Sequence, residues 1–266
     1  MKKIISVLIL VVVVLAIAYF APKDKNSTDG QIKNVEMFKS ELGMPIATQS
    51  DVAYFEGAKG YLAKPEAPGS YPGVVMIHEN RGLRPETRLM ADTLAQDGYI
   101  VLAVDLLGGV AEDQDGAKVL TSKFDPATGV ANMRAAVEYL RAQGASKVAS
   151  LGWCFGGRQS VELAISGEAL DATVVYYGGS MATTVDKLAP IKWPVLGVFG
   201  DQDKAIPMEM VDTFKDSLKT LGIENEVYVY PGVGHAFANP SGMNYAPEAT
   251  KDAWEKTLSF LNKHLK

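Results

Sequence analysis

The feature that most constrains this chain is Gly152-Trp153-Cys154-Phe155-Gly156-Gly157, which follows directly on the apolar run Val148-Ala149-Ser150-Leu151. Small residues two positions either side of a central side chain let a strand reverse sharply into a helix and leave that side chain exposed at the bend. The central residue, Cys154, is the one cysteine among 266 residues. An isolated cysteine also packs as a small apolar residue, so the thiol has to be weighed with the rest of the chain. Either way, the pattern calls for a strand, a tight turn and a helix in that order.

A nucleophile at such a bend needs a base within hydrogen-bond reach and a third group to fix the base's tautomer. Three histidines are available. His264 lies at the polar end of a helical stretch, where it is expected to be solvated. His78 closes the apolar run Val74-Val75-Met76-Ile77 beside Glu79, a setting for a structural hydrogen bond. His235 alone follows a strand in a glycine-rich loop, Pro231-Gly232-Val233-Gly234-His235, and is the expected base. The apolar run 194–199 empties into Gly200-Asp201-Gln202-Asp203. Asp201 and Asp203 compete for the third role, spacing does not choose between them, and either can cap the helix expected near Pro207.

Apolar runs and helical periodicities alternate along the chain. Strands are expected at 74–77, 99–104, 148–151, 172–177, 194–199 and 227–230, with an antiparallel hairpin of 52–55 and 60–63 ahead of them. Helices are expected at 85–96, 126–143, 155–165, 208–221 and 249–265; Val130, Met133, Val137 and Leu140 recur at spacings of three and four, which gives 126–143 its buried stripe. Strands alternating with helices imply an α/β fold with a mainly parallel sheet covered on both faces. Glu112-Asp113-Gln114-Asp115-Gly116 lacks the closing glutamate of a calcium loop and is expected to be a solvated loop.

Lys2-Lys3 precedes an uninterrupted apolar stretch, 4–20, and a polar segment follows it, the layout of an export signal. Ala16-Ile17-Ala18 offers a cleavage site, and an uncleaved inner-membrane anchor is the alternative. The expected organisation is a signal or anchor at 1–21, a linker and extension at 22–50, and one catalytic domain at 51–266 in a periplasmic or otherwise extracytoplasmic location. A net charge of -5 gives no basic footprint for nucleic acid. A single thiol cannot form an internal disulfide, and a free one in an oxidising compartment suits a reactive role.

The ordered set His78-Glu79-Asn80-Arg81-Gly82, Asp105-Leu106, Gly129-Val130, the cysteine turn, Tyr176-Tyr177-Gly178, Gly200-Asp201-Gln202-Asp203 with Pro207, and Gly234-His235-Ala236-Phe237 resembles the dienelactone hydrolase family of α/β-hydrolases from about Gly73 onward. The resemblance implies an α/β-hydrolase fold and hydrolysis of a carboxylic ester or lactone through a thioester. It selects Asp203 over Asp201, so the implied triad is Cys154, Asp203 and His235. It also implies that Glu79 contacts the resting thiol and moves aside for substrate, and that the backbone N–H groups of Phe155 and Asn80 form the oxyanion hole. Arg81, Trp153, Tyr177 and Asn239 are candidate pocket residues.

The founding members hold a substrate carboxylate with two arginines. Here the corresponding positions carry Asn239 and, by alignment, Gln114, with Lys118, Arg81 or Arg84 as candidate replacements. An amide supplies neither the charge nor the bidentate fork of an arginine. No metal or organic cofactor is implied, and the expected partner is a small-molecule ester or lactone. A thioesterase or acyltransferase on the same residues, and a non-catalytic binding protein that keeps the fold, are the alternatives.

Overall fold

The computed structural model describes residues 40–266. The apolar stretch 4–20, with its expected role in export or anchoring, and most of the expected linker lie outside the described residues. Among the described residues no helix is long and apolar enough to cross a membrane.

Eight strands form one sheet: β1 (Ile46–Val52), β2 (Gly60–Pro65), β3 (Gly73–Ile77), β4 (Ile100–Val104), β5 (Val148–Trp153), β6 (Ala172–Tyr176), β7 (Val195–Gly200) and β8 (Asn225–Tyr230). Their order is β1-β2-β4-β3-β5-β6-β7-β8. β2 pairs antiparallel with β1 and β4, and every pairing from β4 to β8 is parallel. Strands β3 to β7 are buried along their whole length. That explains their largely apolar composition, in which Ser150 and Thr173 are buried polar exceptions that hydrogen-bond to each other: a parallel strand sandwiched between helices has no face to give to water.

The helices are α1 (Pro85–Gln96), α2 (Gln114–Ser122), α3 (Pro126–Ala142), α4 (Phe155–Ile165), α5 (Val185–Leu188), α6 (Met208–Thr220) and α7 (Pro247–Leu265). α3 packs on β3, β4 and β5 through the stripe that its periodicity announced, with Met133, Val137 and Leu140 fully buried. α4 lies beside it on β5 and β6, and α7 covers β5 to β7. In an open parallel sheet the ligand crevice forms at the carboxyl ends of the strands, where the order of connection reverses. Here the reversal falls at β3, whose neighbours are β4 and β5.

Two local expectations are corrected. The first hairpin strand is not 52–55: β1 ends at Val52 and starts at Ile46. β1 is an edge strand with five of its seven residues exposed, so pairing with β2 and not apolar alternation defines it, and the register slips between Gln49 and Val52, where Asp51 has φ 55. The acidic stretch 112–116 is not all loop, because the side chain of Asp113 accepts a hydrogen bond from the Gly116 N–H and caps α2. Its acidity is N-terminal helix chemistry. The short α5 had no apolar periodicity to announce it.

Candidate active site

At the end of β5 the chain turns at Cys154 with φ 54 and ψ -113, a conformation unusual for a residue with a side chain. Its N–H donates to Tyr176 O at 3.0 Å, and α4 begins at the next residue. The glycines make this possible. A Cβ on Gly152 would stand 2.1 Å from Gly156 O, and one on Gly156 would stand 2.2 Å from Ile77 O, so the helix start passes between the strand ends only because both lack side chains.

The structure brings Cys154, His235 and Asp203 into one chain of contacts. The Cys154 sulfur lies 3.0 Å from His235 Nε2, and His235 Nδ1 lies 2.7 Å from Asp203 Oδ2. Asp203 is buried, and its other oxygen accepts from the Ala205 N–H at 2.8 Å, so both lone-pair faces of the carboxylate are committed. Asp201 points elsewhere: its Oδ1 accepts from the Gly232 N–H at 2.8 Å and ties the β7 loop to the loop that carries His235. The side chain of Asn244 donates to His235 O at 2.9 Å and holds that loop from the other side. Sequence reasoning had no signal for Asn244, which lies nine residues beyond the histidine on an irregular segment.

Glu79 lies where the thiol feels its charge. One carboxylate oxygen accepts from the side-chain amide of Asn239, and the other lies 3.5 Å from the Tyr177 hydroxyl. Burial pushes its carboxyl up to about 6, against the opposing pull of those hydrogen bonds and of His235. Burial, and then the neighbouring Glu79 charge, push the Cys154 thiol up to about 12, while the Phe155 N–H directed at the sulfur acts in the opposite sense. Glu79 forms no ion pair with the neighbouring Arg81. Glu79 is held by Asn239 and Tyr177, and the buried Nε of Arg81 has no hydrogen-bond partner.

Tyr177 is itself strained, with φ 37, and fully buried. Its ring meets that of His235 edge-on at 5.4 Å. The Asn80 side chain donates to Gln114 Oε1 at 3.2 Å, which places the first residue of α2 beside the site. His78 is structural, as expected: Leu106 N–H donates to its Nε2 at 3.2 Å, which leaves the proton on Nδ1 to donate to Glu79 O at 2.6 Å. Burial holds its pKa down. His264 is not solvated: its side chain is only 11% exposed and its ring packs edge-on against Phe260 at 4.7 Å.

A pocket with about 460 Å³ of empty space, open to solvent, is lined by Glu79, Arg81, Trp153, Tyr177, Asn239 and Ser241, with Trp153 the residue next to Cys154 in the chain. α1 contributes Glu86, Thr87 and Met90, which the sequence reading missed although they follow the Glu79 loop directly. Of the candidate replacement cations, Lys118 pairs with Asp115 on the exposed face of α2, and Arg84 is engaged by Glu86 and by Ala111 O. Arg81 has no ion-pair partner among the described residues and lines the pocket.

A parallel sheet of this order, with a side chain presented on a strained strand-to-helix turn and a histidine and a carboxylate arriving from later loops, defines an α/β-hydrolase. The comparisons narrow that class. The dienelactone hydrolase family model matches residues 58–265, and the chain belongs to that family of hydrolases. A provisionally named carboxymethylenebutenolidase of Saccharolobus solfataricus is 30% identical over 250 residues, an alignment covering 78% of this chain and 95% of the relative. Protein usf of Aquifex pyrophilus is 32% identical, with coverage of 78% and 94%. Among solved structures, a dienelactone hydrolase-like promiscuous phosphotriesterase, P91, from metagenomic libraries superposes with a TM-score of 0.75 at 26% identity, covering 83% of this chain and 99% of P91.

Proposed function

We propose that the protein hydrolyses carboxylic esters or lactones through a thioester on Cys154, with His235 as base and Asp203 as the group that orients it. The observation that carries this reading is the unbroken sequence of contacts from sulfur to imidazole to buried carboxylate. A thiol whose pKa stands near 12 is almost wholly protonated at neutral pH, so the sulfur must lose its proton as the reaction begins. Nε2 of His235 is in place to take it. Displacement of Glu79 by an entering substrate removes the negative charge that opposes the thiolate.

The sulfur then attacks the carbonyl carbon, and the carbonyl oxygen becomes an oxyanion held by the N–H groups of Phe155 and Asn80. Preorganised donors of this kind contribute about 3 kcal/mol each. The C–O bond breaks, and the leaving alkoxide takes the proton from His235. A water that gives its proton to His235 attacks the thioester, and the acid departs as the sulfur is released. Asn239 and Gln114, at the positions of the founding members' arginines, are spent on Glu79 and Asn80. Arg81 is therefore the pocket cation for an anionic substrate group, and Arg81→Gln should raise KM for an anionic ester more than for a neutral one; equal effects count against that role.

Acid-quenched mass spectrometry of the enzyme with p-nitrophenyl acetate tests the main reading. The expected result is one acetyl group on the Cys154 peptide and no turnover by Cys154→Ala. Wild-type turnover by Cys154→Ala would overturn the assignment. The lysine-flanked apolar stretch 4–20 supports export of the domain. Fusion of residues 1–30 to a phosphatase that is active only outside the cytoplasm should give activity, and an inactive fusion made in normal amounts would refute export.

A further inference from the structure

Buried polar atoms that lack a hydrogen-bond partner gather around one recess, the pocket lined by Glu79 and Asn239. Arg81 Nε, Arg84 Nε, Glu86 Oε2 and Trp153 Nε1 are all of this kind, and all four residues line that pocket. A buried donor left unpaired has given up its bonds to water and gained none in return, so native structures hold few of them. Several around one recess mark a place where another molecule completes the pairing.

Charge accounts for three of the four. Arg84 Nε and Glu86 Oε2 face each other at 3.4 Å as an ion pair. Arg81 is the cation assigned above to an anionic group. Trp153 is left over, and an indole N–H can neither accept a hydrogen bond nor change its charge.

The Trp153 ring is firmly placed. The residue ends β5 immediately before Cys154, is 2% exposed, and packs against Tyr176 with ring centroids 5.4 Å apart. A tryptophan that only fills space in a protein interior normally finds a partner for its N–H. Trp193 does so: its Nε1 donates to Thr173 Oγ1 at 2.9 Å, although Trp193 is the less buried of the two.

The acceptors near Trp153 are already engaged. Glu79 is taken by Asn239 and Tyr177, Glu86 faces Arg84, and Asn239 Oδ1 accepts from the N–H and the hydroxyl of Ser241. The pocket therefore has donors to spare and few free acceptors, and the group that fills it has to bring oxygen.

We propose that the Trp153 indole N–H determines specificity by donating to a second carbonyl oxygen of the substrate, beyond that of the reacting ester, once the substrate has displaced Glu79 from the same pocket. This rests on the ester chemistry proposed for Cys154. It makes oxo-substituted esters better substrates than hydrocarbon esters of the same shape, because a site with a buried donor discriminates against a ligand that leaves it unpaired.

The test compares the wild type with Trp153→Phe on two matched pairs of neutral esters, so that the charge of Arg81 does not enter. In p-nitrophenyl 5-oxohexanoate against p-nitrophenyl hexanoate the acceptor lies on the acyl side; in 4-acetylphenyl acetate against 4-ethylphenyl acetate it lies on the alcohol side. In at least one pair the preference in kcat/KM for the carbonyl member should fall about tenfold in the variant, through KM, the size expected of one buried hydrogen bond. Taking a ratio within each pair removes any general loss of active enzyme and any difference in intrinsic reactivity. Replacement of Trp153 by 3-benzothienylalanine, which keeps the shape of the ring with sulfur in place of the N–H, should give the same fall and serves if Trp153→Phe does not fold. Preferences unchanged in both pairs, or a change confined to kcat, overturn the donor and leave the thiol chemistry standing, with the ring then only packing behind the elbow. A wild type that hydrolyses none of the four esters overturns the ester chemistry and the donor with it.

Discussion

Asn239 holds Glu79: its side-chain amide donates to one carboxylate oxygen, with the Tyr177 hydroxyl near the other. The clamp stabilises the ionised form, but burial outweighs it and the carboxyl stands at about 6, above its ordinary 4.5. The folded state therefore holds this proton more tightly than the unfolded chain. The contribution to stability is full below pH 4.5, and about 2 kcal/mol is lost as pH rises through 6, since one pKa unit is about 1.4 kcal/mol. Glu79→Gln should resist urea better than the wild type by about this amount at pH 8 and equally at pH 4. A gap of the same size at both pH values would show that charge is not the cause.

The same carboxylate faces the sulfur, so its removal should be visible in thiol chemistry. Wild-type Cys154, with its pKa pushed up to about 12 by burial and then by Glu79, should react slowly with iodoacetamide at pH 7.5 and ever faster up to pH 10 without a plateau. Glu79→Gln leaves the burial and removes the charge, and should speed alkylation about tenfold, the equivalent of one pKa unit. Identical rates would remove Glu79 from the account of the resting thiol.

Most of the sheet and the contacts around the thiol were legible because each has a local signature. β3 to β7 are largely apolar runs, and Gly152 and Gly156 announce a turn that no other residue fits. The features that escaped are those fixed by partners distant in the chain. β1 is an exposed strand defined by pairing, and α2 fully buries only Ala117, so neither leaves an apolar period in the sequence. The choice between Asp201 and Asp203 could not come from spacing, because both side chains anchor the His235 loop, one through Gly232 N–H and one through the imidazole.

That difference can be measured. Asp203→Asn puts an amide against Nδ1 and favours the wrong imidazole tautomer, so kcat for p-nitrophenyl acetate should fall by roughly 10³-fold or more. Asp201→Asn keeps an oxygen acceptor for the Gly232 N–H, and kcat should stay within about threefold, the small effect expected where a hydrogen bond is conserved. Equal losses in the two variants would mean that the 2.7 Å contact to His235 is not the one that matters.

Two glycines separate close approach from conformational need. Gly156 stands where an added Cβ would meet Ile77 O at 2.2 Å and His78 O at 2.6 Å, and backbone atoms of two buried segments cannot yield as a flexible side chain can. Gly156→Ala must push the start of α4 away from β3, carrying Cys154 with it. The expected cost is about 3 kcal/mol, at the upper end for overpacking, together with loss of esterase activity. Gly144, after α3, has φ 91 and open space around its Cβ position. Gly144→Ala there should cost about 1 kcal/mol, the penalty for a side chain in the left-handed region, and leave kcat unchanged. Urea unfolding and turnover of both variants check the pair. A Gly156→Ala protein as stable as Gly144→Ala would show that the elbow has slack, and that the thiol's position does not depend on the bare backbone contact between α4 and β3.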